Sequence, residues 1–447
     1  MDDDKAQHRF GPITLAPGLK PAQILVFIFV VITAICMLNT VPLLKVYVFG
    51  EMMGIPRAEQ GRLTGNLSTI QQVAVLIFIT FTGTMADRLG RRKVLMMAMT
   101  GYIATLFFYP LAGSVGMLFV LHFVLGLSST GHTTGAGTMM ADYPDNRSRG
   151  KFISMMLVLQ ALASAFFVSW LGSRIPGWFT ATGMPAAEAG RYAFWALAGL
   201  GCLGLGVAAL FLKEPAPPAV KPVASTSLKD GFKTTWVNAG KVYAHARGNP
   251  RFALVMLMGA VIRSDYVVIG AFLSLWVMHG ATAQGVTAAE ALTVAGLLTA
   301  TLQISAVAAP PFFGFIADRV NRTVMLVIAL ALTGLALCST LFISNVLGLG
   351  IFFVVAAIGA AEHGLIIAAQ SVFGEEAPPD LRGSAQGLFA FFGTFSVVIV
   401  SFISGIAFDQ IGRVAPFVMV GLLNLSFAVL GLFLLLRQRR LAAQIAA

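Results

Sequence analysis

Six ionisable side chains lie within otherwise apolar stretches of this sequence. They are Arg263, Asp265, Glu362, His363, His122 and His132. A charge at the centre of a bilayer costs about 2.5–3.5 kcal/mol on insertion scales, so groups kept there usually exchange protons, bind substrate or form a fixed ion pair. The histidines do not have the spacing of a metal-binding set, and we expect neither a metal site nor a cofactor.

The composition shows what kind of element must hold these groups. The chain has 447 residues, of which 57% are hydrophobic and 11% charged, and its mean hydropathy is +0.84. A soluble domain carries about 25% charged residues, so a soluble fold is excluded. At about 20 apolar residues per crossing, the chain can supply about a dozen transmembrane helices. Cys36, Cys202 and Cys338 all fall in apolar runs, where we expect them to be packing residues.

The apolar runs divide into twelve predicted membrane spans, which makes the fold class all-α integral membrane. Their predicted ranges are 22–46, 63–86, 93–113, 117–141, 150–173, 192–212, 252–279, 290–317, 323–343, 346–373, 384–407 and 415–436. The first run follows a charged tail and is as long as a full span. We therefore expect it to be retained, not cleaved as a signal peptide.

Basic residues are distributed unequally between the two ends of the predicted spans. If the N-terminus is cytoplasmic, 23 of the 30 Lys and Arg residues fall on the cytoplasmic side and six on the other, with Arg263 inside a span. This asymmetry obeys the positive-inside rule and predicts that both termini are cytoplasmic. Orientation in the bilayer thus explains the net charge of +11, and we expect no nucleic-acid partner.

A composition break separates the first six predicted spans from the last six. It begins with several prolines and continues as a basic stretch, residues 228–247, that could form an amphipathic helix on the membrane surface. We therefore expect an N-terminal tail at 1–21, a six-helix bundle at 22–212, a linker at 213–250, a second six-helix bundle at 251–436 and a C-terminal tail at 437–447.

The two halves repeat rare residues at a nearly fixed offset, which is stricter evidence of duplication than shared hydropathy. The second span ends in a segment from Gly83 to Lys93, and the eighth ends in a similar segment from Gly314 to Arg322, 231 residues later. The same offset pairs Asp87 with Asp318, Arg88 with Arg319, Gly65 with Gly296 and Gln72 with Gln303. After spans four and ten, Asp142 and Arg149 are matched by Glu375 and Arg382, at an offset of 233.

The segment GTMADRLGRRK between spans two and three resembles the signature loop of the major facilitator superfamily, and the similarity covers the whole chain. The resemblance implies two pseudo-symmetric six-helix bundles, a substrate cavity lined by spans one, four, seven and ten, and alternating access by rocking of one bundle on the other. It also implies a cytoplasmic latch of helix-end charges and glycines. The matching residues are Gly83, Asp87, Arg88, Gly90, Arg91, Asp142, Arg149, Asp318, Arg319, Glu375 and Arg382.

Two departures from the family pattern bear on the subclass. Many members carry an arginine four residues before a glycine in span four, at a position associated with proton coupling, whereas here His122 precedes Gly126. Antiporters of the family often have a GPxxGG-like run in span five, and residues 159–165 read LQALASA instead. The antiporter subclass therefore has no support from these motifs.

The buried ionisable groups are expected to share a layer near the bilayer midplane. Helix rise places Asp265, Glu362 and His132 about 15–21 Å from the charges at their cytoplasmic helix ends. Arg263 and Asp265 are two residues apart and cannot face each other on a helix. We expect Arg263 to pair with Glu362, which leaves Asp265 to a second partner or to reversible protonation; a static bridge between helices is the alternative.

Other polar residues within the spans are candidates for lining the cavity, although such amides also join helices by hydrogen bonds. They are Asn39, Tyr266, Gln72 and Gln303, and His132 and His363 are candidate ligands in the same layer.

These features together predict a secondary transporter and not an enzyme. A GxxxxGK[ST] phosphate loop is absent from the sequence, which argues against an ATP-powered pump. We expect proton-coupled export of a small organic molecule by a monomer in a bacterial inner membrane. Proton-coupled uptake of an organic anion is the alternative, because Arg263 could receive a carboxylate. A non-transporting membrane receptor is a third reading.

Overall fold

The computed structural model describes residues 8–214, 228–317 and 319–446. Within them, twelve helical segments are long and apolar enough to cross a membrane, one for each predicted span. The first six are Pro21–Met52, Arg57–Leu89, Arg91–Leu111, Val115–Asp142, Asn146–Ala181 and Ala186–Phe211. The last six are Pro250–Ala283, Ala288–Ile316, Arg322–Phe342, Leu349–Glu376, Arg382–Gln410 and Ala415–Arg437. The predicted all-α membrane fold is confirmed, and the segments are called spans one to twelve.

Several spans begin next to a residue whose side chain accepts hydrogen bonds from the first free N–H groups of the helix. The Ser114 hydroxyl accepts from the amide of Met117 at 3.3 Å before span four, and Asn321 accepts from the amide of Thr323 at 3.0 Å before span nine. Thr287 and Glu290 form a reciprocal capping box before span eight, with distances of 2.9 and 3.3 Å.

Span five is longer and less regular than predicted. An α-helix at Arg149–Ala163 widens into a π-helix at Ser164–Leu171, tightens at Gly172–Arg174 and resumes at Ile175–Ala181. Span one likewise ends in a π-helical segment, Val48–Met52, after an α-helix at Pro21–Tyr47. The apolar pattern alone placed both ends several residues too early, because it does not register such changes in helical pitch.

The N-terminal tail contains a short hairpin that the sequence analysis did not predict. Strands β1 (Arg9–Phe10) and β2 (Ile13–Thr14) pair antiparallel. The turn holds Gly11 at φ 54°, in the left-handed region that favours glycine. The amide of Thr14 donates to the Ser148 hydroxyl at 3.0 Å, and the amide of Asp145 donates to the Thr14 carbonyl at 2.9 Å. The hairpin is thereby fastened to the loop between spans four and five.

The chain divides into two compact units. The first comprises Met1–Val220 and Val277–Ala300, and the second comprises Lys221–Trp276 and Thr301–Ala447. The end of span seven and the start of span eight therefore belong to the first unit, where His279 and Gln60 share a hydrogen bond of 2.8 Å. The bundle limits expected from the sequence, 22–212 and 251–436, stay a prediction.

Helix packing repeats between the units at the sequence offsets found above. A Cβ atom on Gly126 in span four would collide with the backbone oxygen of Gln71 in span two. A Cβ atom on Gly359 in span ten would collide in the same way with the backbone oxygen of Leu302 in span eight. The glycines differ by 233 positions and their partners by 231. Each unit thus uses a glycine to let the same pair of helices approach closely.

Substituting alanine at Gly126 or Gly359 should therefore lower the free energy of unfolding by about 1–3 kcal/mol, because the added methyl meets backbone that cannot rotate away. Unfolding in detergent against a denaturant series measures the effect. Gly137→Ala in span four is the matched control, since a Cβ atom there has open space. Its stability should be unchanged or higher. Equal losses in all three variants would contradict this account of the crossing.

Candidate functional site

A buried carboxylate and a buried amide meet in the second unit. Asp265 of span seven accepts a hydrogen bond of 2.8 Å on Oδ2 from Nδ2 of Asn424 in span twelve, and the same amide donates to the Val420 carbonyl at 2.9 Å. Both side chains are 0% exposed. The second carboxylate oxygen of Asp265, Oδ1, has no hydrogen-bond partner.

Glu362 adds a second carboxylate to this place. It projects from span ten, is 2% exposed, and its Oε1 has no hydrogen-bond partner. Its charge lies within electrostatic range of Asp265. Two ionised carboxylates in an apolar interior, of which Asp265 accepts a hydrogen bond from an amide, carry a large desolvation cost. That cost is relieved when a proton binds, so the arrangement has the chemistry of a proton-binding site.

The predicted ion pair between Arg263 and Glu362 is wrong for this conformation. Within the described part of the chain, Arg263 takes part in none of the ion pairs. Its side chain lies against span eleven, where a Cβ atom on Gly393 would be 3.1 Å from the Cβ of Arg263. Residues two positions apart on a helix point in different directions. Because Asp265 faces span twelve, Arg263 faces a different neighbouring helix.

Tyr266 lies next to these charges and is 54% exposed in the absence of lipid. Both Glu362 and Arg263 are within electrostatic range of its phenol. Arg263, Asp265, Tyr266 and Glu362, all singled out from the sequence, are thus brought into one neighbourhood. The residue that sequence reasoning missed is Asn424. An amide inside an apolar run was the available signal, since such a group needs a hydrogen-bond partner within the membrane.

The histidines lie elsewhere. In the first unit His132 of span four packs beside Tyr102 of span three, with ring centroids 6.1 Å apart, and its Nδ1 has no hydrogen-bond partner. In the second unit Nδ1 of His363 lies 3.2 Å from the carbonyl of Gly359, one turn earlier on the same helix. His363 is therefore satisfied locally, and His132 is enclosed between two helices.

The first unit also buries a lysine, Lys45, near the predicted end of span one. Lys45 is 1% exposed, because span one continues to Met52 and so carries this residue inside the protein. The positive charge of Lys45 lies within electrostatic range of His122. Nε2 of His122 lies 3.1 Å from the hydroxyl of Tyr109. The signal available was the position of Lys45 between Leu44 and Val46 in an apolar run.

The candidate cavity amides have different surroundings. Asn39 of span one donates to the hydroxyl of Ser164 in span five at 2.8 Å, which is a helix-joining role in this conformation. Gln72 is buried, and its Oε1 has no hydrogen-bond partner. Gln303, its counterpart in the repeat, is half-buried.

The charges at the helix ends form a repeated contact. Arg91, at the start of span three, pairs with Asp142 at the end of span four. Arg322, at the start of span nine, lies 3.8 Å from Glu375 at the end of span ten. The offset of 231 relates the two arginines, and the offset of 233 relates the two acids. The repeat found in the sequence is therefore also present in the ion pairs.

A second contact is also present in both halves. In each, an arginine side chain donates a hydrogen bond to the backbone carbonyl eight residues before it. Arg149 Nε donates to Ala141 at 2.8 Å, and Arg382 Nη2 donates to Gly374 at 3.0 Å. Both interactions fasten the start of one span to the end of the preceding one.

Other residues of the predicted latch have less defined contacts. Asp87 and Arg88 are exposed, Gly83 is half-buried, and Arg319 stacks on Phe315 at 3.4 Å. Asp318 lies outside the described residues. Gly90 adopts φ 93°, and a Cβ atom there would meet the Glu214 carboxylate at 2.6 Å. That carboxylate accepts from the amide of Arg91 at 2.6 Å and caps span three, a role that sequence reasoning missed.

Comparison with known proteins decides the family. The sequence profile of the Major Facilitator Superfamily matches residues 26–292 and 255–447, which together cover nearly the whole chain. The chain belongs to the Major Facilitator Superfamily. It is therefore an integral membrane transporter of small molecules, not an enzyme.

Relatives and a solved structure agree with this assignment. The chain is 25% identical over 422 residues to the magnetosome protein MamH of Paramagnetospirillum magneticum, covering 92% of each. It is 26% identical over 356 residues to the sialic acid transporter NanX of Escherichia coli, covering 76% of this chain and 77% of NanX. A crystal structure of a variant of the nucleoside transporter NupG has the same fold, with a TM-score of 0.71, 15% identity, and coverage of 93% and 99%.

Replacing Asn424 by alanine should lower the free energy of unfolding by about 1–3 kcal/mol, because the buried Asp265 then loses its amide donor. Denaturant unfolding in detergent measures the change. Ser426→Ala is the matched control on the same span, because the Ser426 hydroxyl is exposed and bonds only the carbonyl of Leu422 in its own helix. An Asn424→Ala variant as stable as the control would show that the bond to Asp265 contributes nothing to folding.

Proposed function

We propose that the protein is a proton-coupled exporter, which exchanges a small organic molecule for protons by alternating access. The observation that supports this most directly is the pair of buried carboxylates, Asp265 and Glu362, with one oxygen of each lacking a hydrogen-bond partner. A transporter driven by a proton gradient needs a group that binds and releases a proton within the membrane. Asp265 and Glu362 are the proposed carriers.

Exchange requires that proton and substrate exclude each other. Binding of a proton removes one of two negative charges, and binding of a cationic or polar substrate group near the same carboxylates would be weakened by that change. The hydrogen bond from Asn424 holds Asp265 in one orientation, so Glu362 is the freer of the two acids. Competition at one charged site is sufficient for antiport without a second coupling element.

The substrate class proposed is a small, amphipathic organic compound. The chain contains 35 phenylalanines and 19 methionines but few ionisable groups within the spans. Aromatic and thioether side chains adapt to varied apolar shapes, whereas the sparse polar groups would fix orientation. His132, His363, Gln72 and Gln303 remain candidate substrate contacts.

Uptake of an organic anion together with protons is the second candidate. It is favoured by Arg263, which takes part in none of the ion pairs among the described residues and can offer two parallel N–H donors to a carboxylate. The relative NanX is named for sialic acid, an organic acid. In this alternative the acids Asp265 and Glu362 would still carry the protons.

The proposal also includes the membrane orientation, the cytoplasmic latch and the oligomeric state. The positive-inside asymmetry supports cytoplasmic termini, and bacterial relatives support an inner membrane. The helix-end pairs of Arg91 with Asp142 and Arg322 with Glu375 are proposed as parts of a cytoplasmic latch that breaks and re-forms during transport. A monomer is sufficient for alternating access.

Proton coupling is tested in proteoliposomes with an internal pH dye, during addition of drug-like cations, sugars and organic acids. With an active compound the wild type should move protons, whereas Asp265→Asn and Glu362→Gln should reduce movement at least tenfold, because an amide cannot carry a proton. Glu188→Gln, which alters an exposed carboxylate in the first turn of span six, is the matched control. Transport of a labelled compound without proton movement in the wild type would refute the proposal.

The direction of coupling is tested with Arg263→Lys, which keeps the charge but removes bidentate recognition. In the export proposal, transport of cationic and neutral compounds should change less than threefold. In the anion-uptake alternative, transport of organic acids should fall at least tenfold while proton binding persists. The sign of the pH change in the same vesicles separates antiport from symport.

A further inference from the structure

An apolar pocket lies between the linker helix, Leu228–Gly248, and two membrane spans of the second unit. Its volume is about 360 Å³, which falls in the range of ligand-binding pockets. The linker helix contributes Ala239, Tyr243 and Ala246 to its lining, span seven contributes Met256, and span eleven contributes Leu388 and Phe392. All of these side chains are aliphatic or aromatic. None of them belongs to the acid pair described above.

The pocket exists because the linker helix is held at a fixed distance from the spans. Nε2 of His245 lies 3.3 Å from the Glu376 carbonyl, and Nδ2 of Asn249 donates to the Glu376 carboxylate at 2.6 Å. Arg251 completes the anchor with an ion pair of 2.9 Å to the same carboxylate. Val242 is buried in the apolar core of the second unit. Small side chains at 239 and 246 then leave space that the anchored helix cannot close.

Positive charge lies at the edge of this space. The guanidinium of Arg247 is 5.9 Å from the ring centroid of Tyr243, a lining residue, and Lys241 is exposed on the same helix. Within the described residues neither cation forms an ion pair. The nearby carboxylates, Glu375 and Glu376, are already paired with Arg251. Lys241 lies on the other face of the helix, so Arg247 is the cation available to an anion beside the apolar cavity.

We propose that this pocket binds one acyl chain of an anionic phospholipid, with its phosphate contacting Arg247. A phospholipid combines the two required chemistries, an apolar chain and a negative headgroup, and is present at high concentration around any membrane protein. Basic residues next to helices at the bilayer surface favour anionic lipids over zwitterionic ones. A polar transport substrate would find only one hydrogen-bonding side chain, the hydroxyl of Tyr243, among the lining residues.

Lipid binding would connect the linker to transport. An acyl chain in the pocket contacts the linker helix, span seven and span eleven at once, so it would stabilise their packing. Span seven carries Arg263 and Asp265, and span eleven carries Gly393, which contacts Arg263. Occupancy would thus influence helices that hold the charged groups, without contact with the proposed proton site itself.

The test uses the full-length protein in neutral detergent, with phosphatidylglycerol or phosphatidylcholine of identical acyl chains added. Bound lipid is counted by native mass spectrometry, and the melting temperature is measured in parallel. The wild type should bind phosphatidylglycerol about fivefold more tightly than phosphatidylcholine, and its melting temperature should rise only with the former. Arg247→Gln should remove most of this preference.

The pocket itself is tested by filling it. Ala246→Phe places a ring in the cavity and should abolish lipid retention and stabilisation, whereas Ala244→Phe adds the same ring to an exposed position on the same helix and should leave both unchanged. Leu388→Trp fills the pocket from span eleven and serves if Ala246→Phe does not fold. Phosphatidylglycerol binding by a folded pocket-filling variant at the wild-type level would overturn the site. Equal binding of the two lipids by the wild type would overturn the anionic selectivity.

Discussion

Hydrocarbon offers no hydrogen-bond partner to a polar group, and the architecture of this protein follows from that constraint. Backbone amides can be satisfied only within helices, so the chain forms twelve membrane-length helices among its described residues. Each polar side chain inside them must then find a neighbour, lose its charge or bind a ligand. The same rule explains why Asn39 bonds Ser164, why Asn424 bonds Asp265, and why the unpaired oxygens of Asp265 and Glu362 are chemically notable.

Duplication explains how the chain obtained a symmetric set of helix crossings and charge contacts. Gly126 and Gly359 allow the same pair of helices to touch in each unit, and Arg91 and Arg322 bind acids at the same helix ends. The polar interiors nevertheless differ. The first unit buries Lys45, His122 and Tyr109, whereas the second buries Asp265, Glu362 and Asn424. The helix crossings and end charges are alike in both copies, whereas the buried polar residues differ.

The linker shows how one segment can serve both topology and packing. Its basic residues fit the positive-inside rule, and its described part is also packed into the second unit through Val242 and the anchors to Glu376. The apolar side of this helix packs towards the spans of the second unit, and Arg247 lies at its edge. The proposed lipid site is a consequence of that geometry and not of the transport cycle.

The sequence alone determined the helix number, the duplication, the family resemblance and the helical linker, because hydropathy and rare polar residues are one-dimensional signals. It also identified Asp265 and Glu362 as candidate site residues, because a carboxylate in an apolar run stands out whichever way its side chain points. Which residues meet was decided only by tertiary structure. Arg263 lies against span eleven and does not pair with Glu362. Asn424 is the hydrogen-bond partner of Asp265, and Lys45 is buried. These outcomes depend on helix rotation and on the extra length of span one. Hydropathy patterns average over both, because a shift of one residue turns a side chain by about 100° while hardly changing the apolar content of the segment.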